Sequence, residues 1–225
     1  WWWVWIFTGI VLLLSVVLIN DWNVIGMMFV GLFIPPFFFW SGAYAIAMFF
    51  GFPFFQHLIA ALSAGALWWF FENLFYYRYR PSEYLPYALE NISSYLNIAS
   101  SFFWFSTLFN FILLFNLQEG AVTMGATAMA SALILQTFWV NKIAMKDYRV
   151  LWGVITLLMG EAFWIMHFSP LDPYVTGLLM TILLYVFVHL SRHHFLQSLS
   201  PNVIRRYFLI GGSVFLITLL SAQWT

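Results

Sequence analysis

Between Val150 and Phe168 the chain reads VLWGVITLLMGEAFWIMHF, a run whose one formal charge is Glu161. A run of about 20 mainly apolar residues crosses the hydrocarbon core of a bilayer. The rest of the chain offers no counterweight of charge. Of 225 residues 7% are charged, 64% hydrophobic and 23% aromatic, whereas a soluble domain carries about 25% charge and 45–50% apolar residues. Such a chain cannot cover itself in water. A soluble enzyme, a nucleic-acid-binding protein and a disordered chain are excluded, and the fold is read as all-α, a polytopic transmembrane helix bundle.

Working outward from that run, seven more follow the same pattern: Trp2–Ile19, Val24–Phe50, Phe54–Phe75, Ile98–Leu117, Ala121–Val140, Tyr174–Leu190 and Tyr207–Ala222. Eight spans in a single integral membrane domain, 1–225, are expected. Asn20-Asp21-Trp22-Asn23, Gly51-Phe52-Pro53, Gln118-Glu119-Gly120 and Ser169-Pro170-Leu171-Asp172-Pro173 separate them, each with residues that stop or break a helix. Pro35-Pro36 sits inside the second run. Each proline lacks an N–H and crowds the preceding turn, so this run is either one kinked helix or a broken, re-entrant pair. Tyr76–Asn97 is longer than a simple turn. Leu85, Ala88, Leu89, Ile92, Tyr95 and Leu96 recur there at helical spacing, opposite Glu90, Ser93 and Ser94, which reads as an interfacial helix or an extension of the fourth span. Asn141–Arg149 reads as a short basic loop, and Pro201 as the start of a helix. Trp1-Trp2-Trp3-Val4-Trp5 has no basic n-region, so it reads as an interfacial belt rather than a signal peptide; with no Met at the start, an N-terminal piece is expected to be missing or processed.

The basic residues set an orientation. Arg78 and Arg80 follow the third run, Lys142, Lys146 and Arg149 the fifth, and Arg192, Arg205 and Arg206 the seventh. By alternation all eight fall on one face. The positive-inside rule makes that face cytoplasmic and puts both ends of the eight-span chain outside. Net charge is zero, so no bulk field recruits nucleic acid.

An ionisable side chain within a span is a functional hypothesis by default, since it costs about 2.5–3.5 kcal/mol on insertion scales. Glu161 lies near mid-bilayer and Glu72 near the cytoplasmic headgroups. Glu161 is read either as a proton or cation site or as a hydrogen-bonded residue facing another helix, with Asn110 or Gln136 as partner. Glu72, followed by Asn73, is read as an interfacial residue pairing with Arg78 or a backbone amide. His57 and His167 lie at matched depth near the outer face and could ligate a haem or a pigment macrocycle; water-exposed interfacial histidines are the plainer reading. Arg192, His193, His194, Arg205 and Arg206 suit anionic lipid headgroups. Ala61-x-x-x-Gly65, Ala121-x-x-x-Gly125 and Ala128-x-x-x-Ala132 let helices approach closely, read here as tight packing inside the bundle. The 27 Phe and 13 Trp fill gaps and interface belts, or line a pocket for a lipid, quinone or pigment.

Several chemistries lack their residues. There is no cysteine, no H-E-x-x-H, no G-x-S-x-G and no G-x-x-x-x-G-K-[ST], which removes thiolate metal sites, zincin proteolysis, a nucleophile elbow and a phosphate loop. Asp21, Asp147 and Asp172 fall in predicted loops, so no intramembrane aspartyl pair forms. No predicted span holds a lysine for a retinal Schiff base. No resident cofactor is expected beyond bound lipid.

Phe70-Phe71-Glu72-Asn73-Leu74-Phe75, Glu161-Ala162-Phe163-Trp164, His167-Phe168-Ser169-Pro170, Thr181-Ile182-Leu183-Leu184-Tyr185-Val186 and Arg205-Arg206-Tyr207-Phe208-Leu209-Ile210-Gly211 occur in that order, with Trp224 beyond. This order resembles an uncharacterised family of bacterial multi-pass membrane proteins, a domain of unknown function, over most of the chain after about residue 50. The resemblance implies a bacterial plasma-membrane location, no established activity, and a shared pattern containing Glu72-Asn73 and Glu161. The leading functional expectation is a non-catalytic scaffold or accessory subunit, partnered by the bilayer and by other membrane subunits or copies of itself. A small transporter centred on Glu161 and a lipid- or cofactor-binding protein are the alternatives.

Overall fold

The computed structural model describes residues 2–19, 27–195, 197 and 199–221, and every element among them is an α-helix. The helices are α1 (Trp2–Ile19), α2 (Met27–Ala47), α3 (Pro53–Tyr79), α4 (Ala88–Phe115), α5 (Glu119–Val140), α6 (Met145–His167), α7 (Pro173–Phe195) and α8 (Pro201–Ser221). Six of them, α2 to α7, are long and apolar enough to cross a membrane, while the apolar stretch of α1, Trp5–Ile19, is shorter. Lipid supplies no hydrogen bonds, so a spanning backbone must satisfy its own, which a helix does within one segment. The 20–23 turn, with Asp21, lies outside the described residues.

The chain forms two compact units, 1–100 and 101–225. In the first, α1, α2 and α3 pack on one another pairwise. Gly9 of α1 lies against the Trp40 ring, where a Cβ would come within 2.6 Å of a ring carbon. α2 runs unbroken through Pro35 and Pro36, both buried. The re-entrant reading of this run is therefore replaced by a single helix, although Pro35 and Pro36 offer no N–H to the turn before them.

The segment after α3 resolves into a short turn and an N-terminal extension of α4, not a separate interfacial helix. Tyr84 anchors the start of α4. Its hydroxyl accepts the Leu89 N–H at 2.9 Å and donates to Glu90 Oε2 at 3.1 Å, which satisfies one of the donors a helix start leaves open. Leu89, Ile92 and Leu96 are buried as their spacing suggests, but Ser93 is buried with them and Tyr95 is exposed. Ser93 is small enough to share the packed stripe, and Tyr95 projects from the far side of the helix.

In the second unit α5 packs on α6 and α7, α6 on α7, and α7 on α8. The loop after α5 is only 141–144, so Lys146, Asp147 and Arg149 belong to the first turns of α6 and not to a loop. Asp172 caps α7, its Oδ1 accepting the Tyr174 N–H at 2.8 Å. α5 and α6 run antiparallel, since Glu119 at the start of one meets His167 at the end of the other. Lys142, Lys146, Arg149, Arg192, Arg205 and Arg206 thus collect at one end of this unit and Glu119, His167 and Asp172 at the other. Gly177 lets α7 approach α4 closely, because a Cβ there would fall on the Ser106 backbone. Phe109 stacks on Phe163 of α6 with centroids 4.3 Å apart.

Candidate functional site

Glu161 faces outward. It is exposed on α6 and lines a groove between α5 and α6 with Thr123, Thr127, Gly160 and Trp164. Gly160 is what brings the helices together there, since a Cβ would meet Thr127 Oγ1 at 2.6 Å. The extra turn at the start of α6 carries Lys146, Asp147 and Arg149, so its hydrocarbon-length part still begins near Val150 and Glu161 sits about 16 Å along it. Glu161 makes no hydrogen bond or ion pair among the described residues.

The partners expected for Glu161 are occupied within their own helices or packed away. Asn110 is buried and donates to the Ser106 carbonyl one turn back at 2.8 Å, and Gln136 is completely buried in α5. The inward-facing reading of Glu161 is therefore corrected. Direction is set by which face of α6 packs, here Ile155, Met159 and Phe163, and one charge in an apolar run does not reveal that face. Glu72 is half-buried on α3 and likewise has no hydrogen bond or ion pair among the described residues, so the expected pairing with Arg78 or a backbone amide is absent. Asn73 donates to the Trp69 carbonyl at 2.8 Å.

The small-residue stripes also face out. Gly65 and Gly125 have open space where a Cβ would lie, and Ala61, Ala121 and Ala128 are exposed. The expectation that these stripes pack inside the bundle is overturned: the tight glycines among the described residues are Gly9, Gly160, Gly177 and Gly211, outside the small-x-x-x-small motifs.

The two histidines expected at matched depth fall in different units. His57 is exposed, its Nδ1 2.6 Å from the Pro53 carbonyl of its own turn. His167 Nε2 is 3.1 Å from Glu119 Oε1, beside a cavity of about 100 Å³, below the range of about 300–1,000 Å³ usual for ligand pockets. Among the described residues no group of three His, Asp or Glu is placed to hold a metal.

At the basic end the structure divides the expected lipid-contact set. His194, Arg205 and Arg206 are exposed. His193 instead turns to α8, its Nε2 3.3 Å from Tyr207 Oη. His189, which sequence reasoning left out of the site, stacks on Tyr207 and lies 4.2 Å from the Tyr185 ring. Arg192 Nε is buried here without a hydrogen-bond partner among the described residues. Tyr185, His189, Arg192 and His193 are spaced i, i+4, i+7 and i+8, one helix face, and that spacing was the available signal.

A family model described as a protein of unknown function, DUF5656, matches residues 54–221. The chain belongs to the DUF5656 family. The match covers about three quarters of the chain and takes in Glu72-Asn73, Glu161, His167 and the α7–α8 cluster, while α1 and α2 precede it. No curated protein and no solved structure matches this DUF5656 chain.

Proposed function

We propose that this protein is a multi-pass, non-catalytic accessory subunit of a bacterial plasma-membrane assembly, with its basic ends cytoplasmic, and that the groove at Glu161 docks a transmembrane helix of another membrane protein. One observation carries the reading: Glu161 projects outward at mid-span with no partner among the described residues. Lipid cannot satisfy a carboxyl group, and an ionisable side chain at that depth costs about 2.5–3.5 kcal/mol on insertion scales. A partner helix bearing a hydrogen-bond donor or a cation opposite Glu161 removes that cost. Thr123, Thr127 and Gly160 keep the groove shallow and small-sided, which suits close helix approach. A transporter centred on Glu161 would place it in an interior path, so the outward position favours docking. Gathering of the basic residues at one end supports the orientation, and His194, Arg205 and Arg206 there suit anionic headgroups.

The test is a photo-crosslinking residue at Leu157 or Ile165, beside Glu161, in living cells. A discrete adduct with one other membrane protein is expected, lost in Glu161→Leu and kept in Glu161→Gln. Adducts with lipid alone, or an adduct indifferent to Glu161→Leu, overturn the docking reading. An adduct only of dimer mass replaces it with self-association.

A further inference from the structure

The first unit contains a half-open cavity of about 320 Å³ between α1, α2 and α3. Its walls are aromatic: Trp5 lies 4.4 Å from Tyr44, and Trp40 is fixed by donating its Nε1–H to Thr8 Oγ1 at 3.1 Å. Its floor is one face of α3, where Gln56, Ala60, Ser63, Ala64 and Leu67 recur at i, i+4, i+7, i+8 and i+11. The alanines are what leave the space open. No Lys, Arg, His, Asp or Glu lines it.

Two polar groups point to an occupant. Ser63 is 5% exposed, and its hydroxyl makes no hydrogen bond among the described residues although it lines the cavity. A serine within a helix ordinarily bonds the carbonyl one turn back. Its oxygen opens onto the cavity, so a ligand there can supply the missing hydrogen bond. Gln56, two turns nearer the start of α3, uses its Nε2 on the Phe50 carbonyl at 2.8 Å, which leaves its Oε1 as an acceptor at the cavity. The volume falls within the range of about 300–1,000 Å³ typical of ligand sites. A phosphate headgroup, phosphocholine included, would find no cation here.

We infer that this cavity binds an uncharged amphiphilic lipid of the diacylglycerol type. Its hydroxyl donates to Gln56 Oε1, an ester carbonyl accepts from Ser63, and its chains lie along Trp5, Trp40, Tyr44 and the alanine floor. The site is separate from the docking groove at Glu161 and stands or falls independently of it.

The experiment uses the full chain in nanodiscs with a diazirine-bearing diacylglycerol, and in parallel the same acyl chain carried on phosphatidylglycerol. Labelled peptides are mapped by mass spectrometry. The diacylglycerol probe is expected to label residues 40–67 several-fold more than 150–168, an equally apolar stretch with exposed side chains. Ser63→Ala should cut that labelling about five-fold, the loss of one hydrogen bond, and Ala60→Phe should abolish it by filling the space. Equal labelling of the two stretches, equal labelling by the phosphatidylglycerol probe, or labelling indifferent to Ser63→Ala overturns the inference. If Ala60→Phe does not fold, the Ser63→Ala comparison decides, since that change leaves a small side chain of nearly the same volume.

Discussion

Tyr84 uses one hydroxyl for two bonds, capping Leu89 and donating to Glu90. Burial, with Glu90 beside it, pushes its phenol up to about 12. In the unfolded chain a tyrosine ionises near 10. Because the folded value is the higher one, the unfolded state sheds its proton first. This contribution to stability is complete below about pH 10 and is lost as pH climbs through about 12. Tyr84→Phe should therefore cost about 1 kcal/mol, the worth of a cap, in thermal unfolding near neutral pH. It should also remove a step near pH 12 from an absorbance titration of phenolate. A variant that leaves both unchanged would refute the cap. The sequence marks Glu90 as polar but carries no sign that Tyr84 reaches over it, because that contact depends on how the 80–87 turn folds back. Glu161 differs in kind: its presence in an apolar run was legible and its direction was not.

At the scale of the helix, glycines divide by what they face. Gly177 sits on the Ser106 backbone and Gly125 on open space. Gly177→Ala should destabilise the monomer in detergent by about 1–3 kcal/mol, the usual range for overpacking against a neighbour that cannot yield. Gly125→Ala should leave the melting temperature unchanged or slightly raised, since alanine is the better helix former. Equal effects at the two positions would contradict the packing described. The small-x-x-x-small pattern pointed to Gly65 and Gly125, the exterior pair. A four-residue spacing of small residues marks a surface able to take a close neighbour; whether that neighbour lies in the same chain is a property of the packing. The extension of α4 was legible in outline from its helical spacing. Its buried face was not, because Ser93 packs on size and Tyr95 fails to pack despite its apolar ring.

For the whole molecule the decisive expectation is topological. The chain has no cysteine, so single cysteines report without background. Cysteines at Arg80, Lys146 and Arg192 should resist an impermeant thiol reagent in intact cells, while one at Glu119 should label; labelling of the three basic sites from outside would overturn the orientation. The existence of the helices, their order and the grouping of positive charge follow from the sequence alone. The physical reason is local: a run of apolar residues of membrane length must be helical in lipid, and Pro and Gly punctuation ends it whatever its neighbours are. Tertiary structure alone decided which face of each helix is inward. In α6 it turned Ile155, Met159 and Phe163 in and Glu161 out; in α3 it closed Ser63 over a cavity; in α7 it joined His193 to Tyr207. Helices that are apolar all round carry little periodic signal to separate a packed face from a lipid face. The choice falls to steric fit between neighbours, such as Gly177 against Ser106, and that fit does not exist until the helices meet.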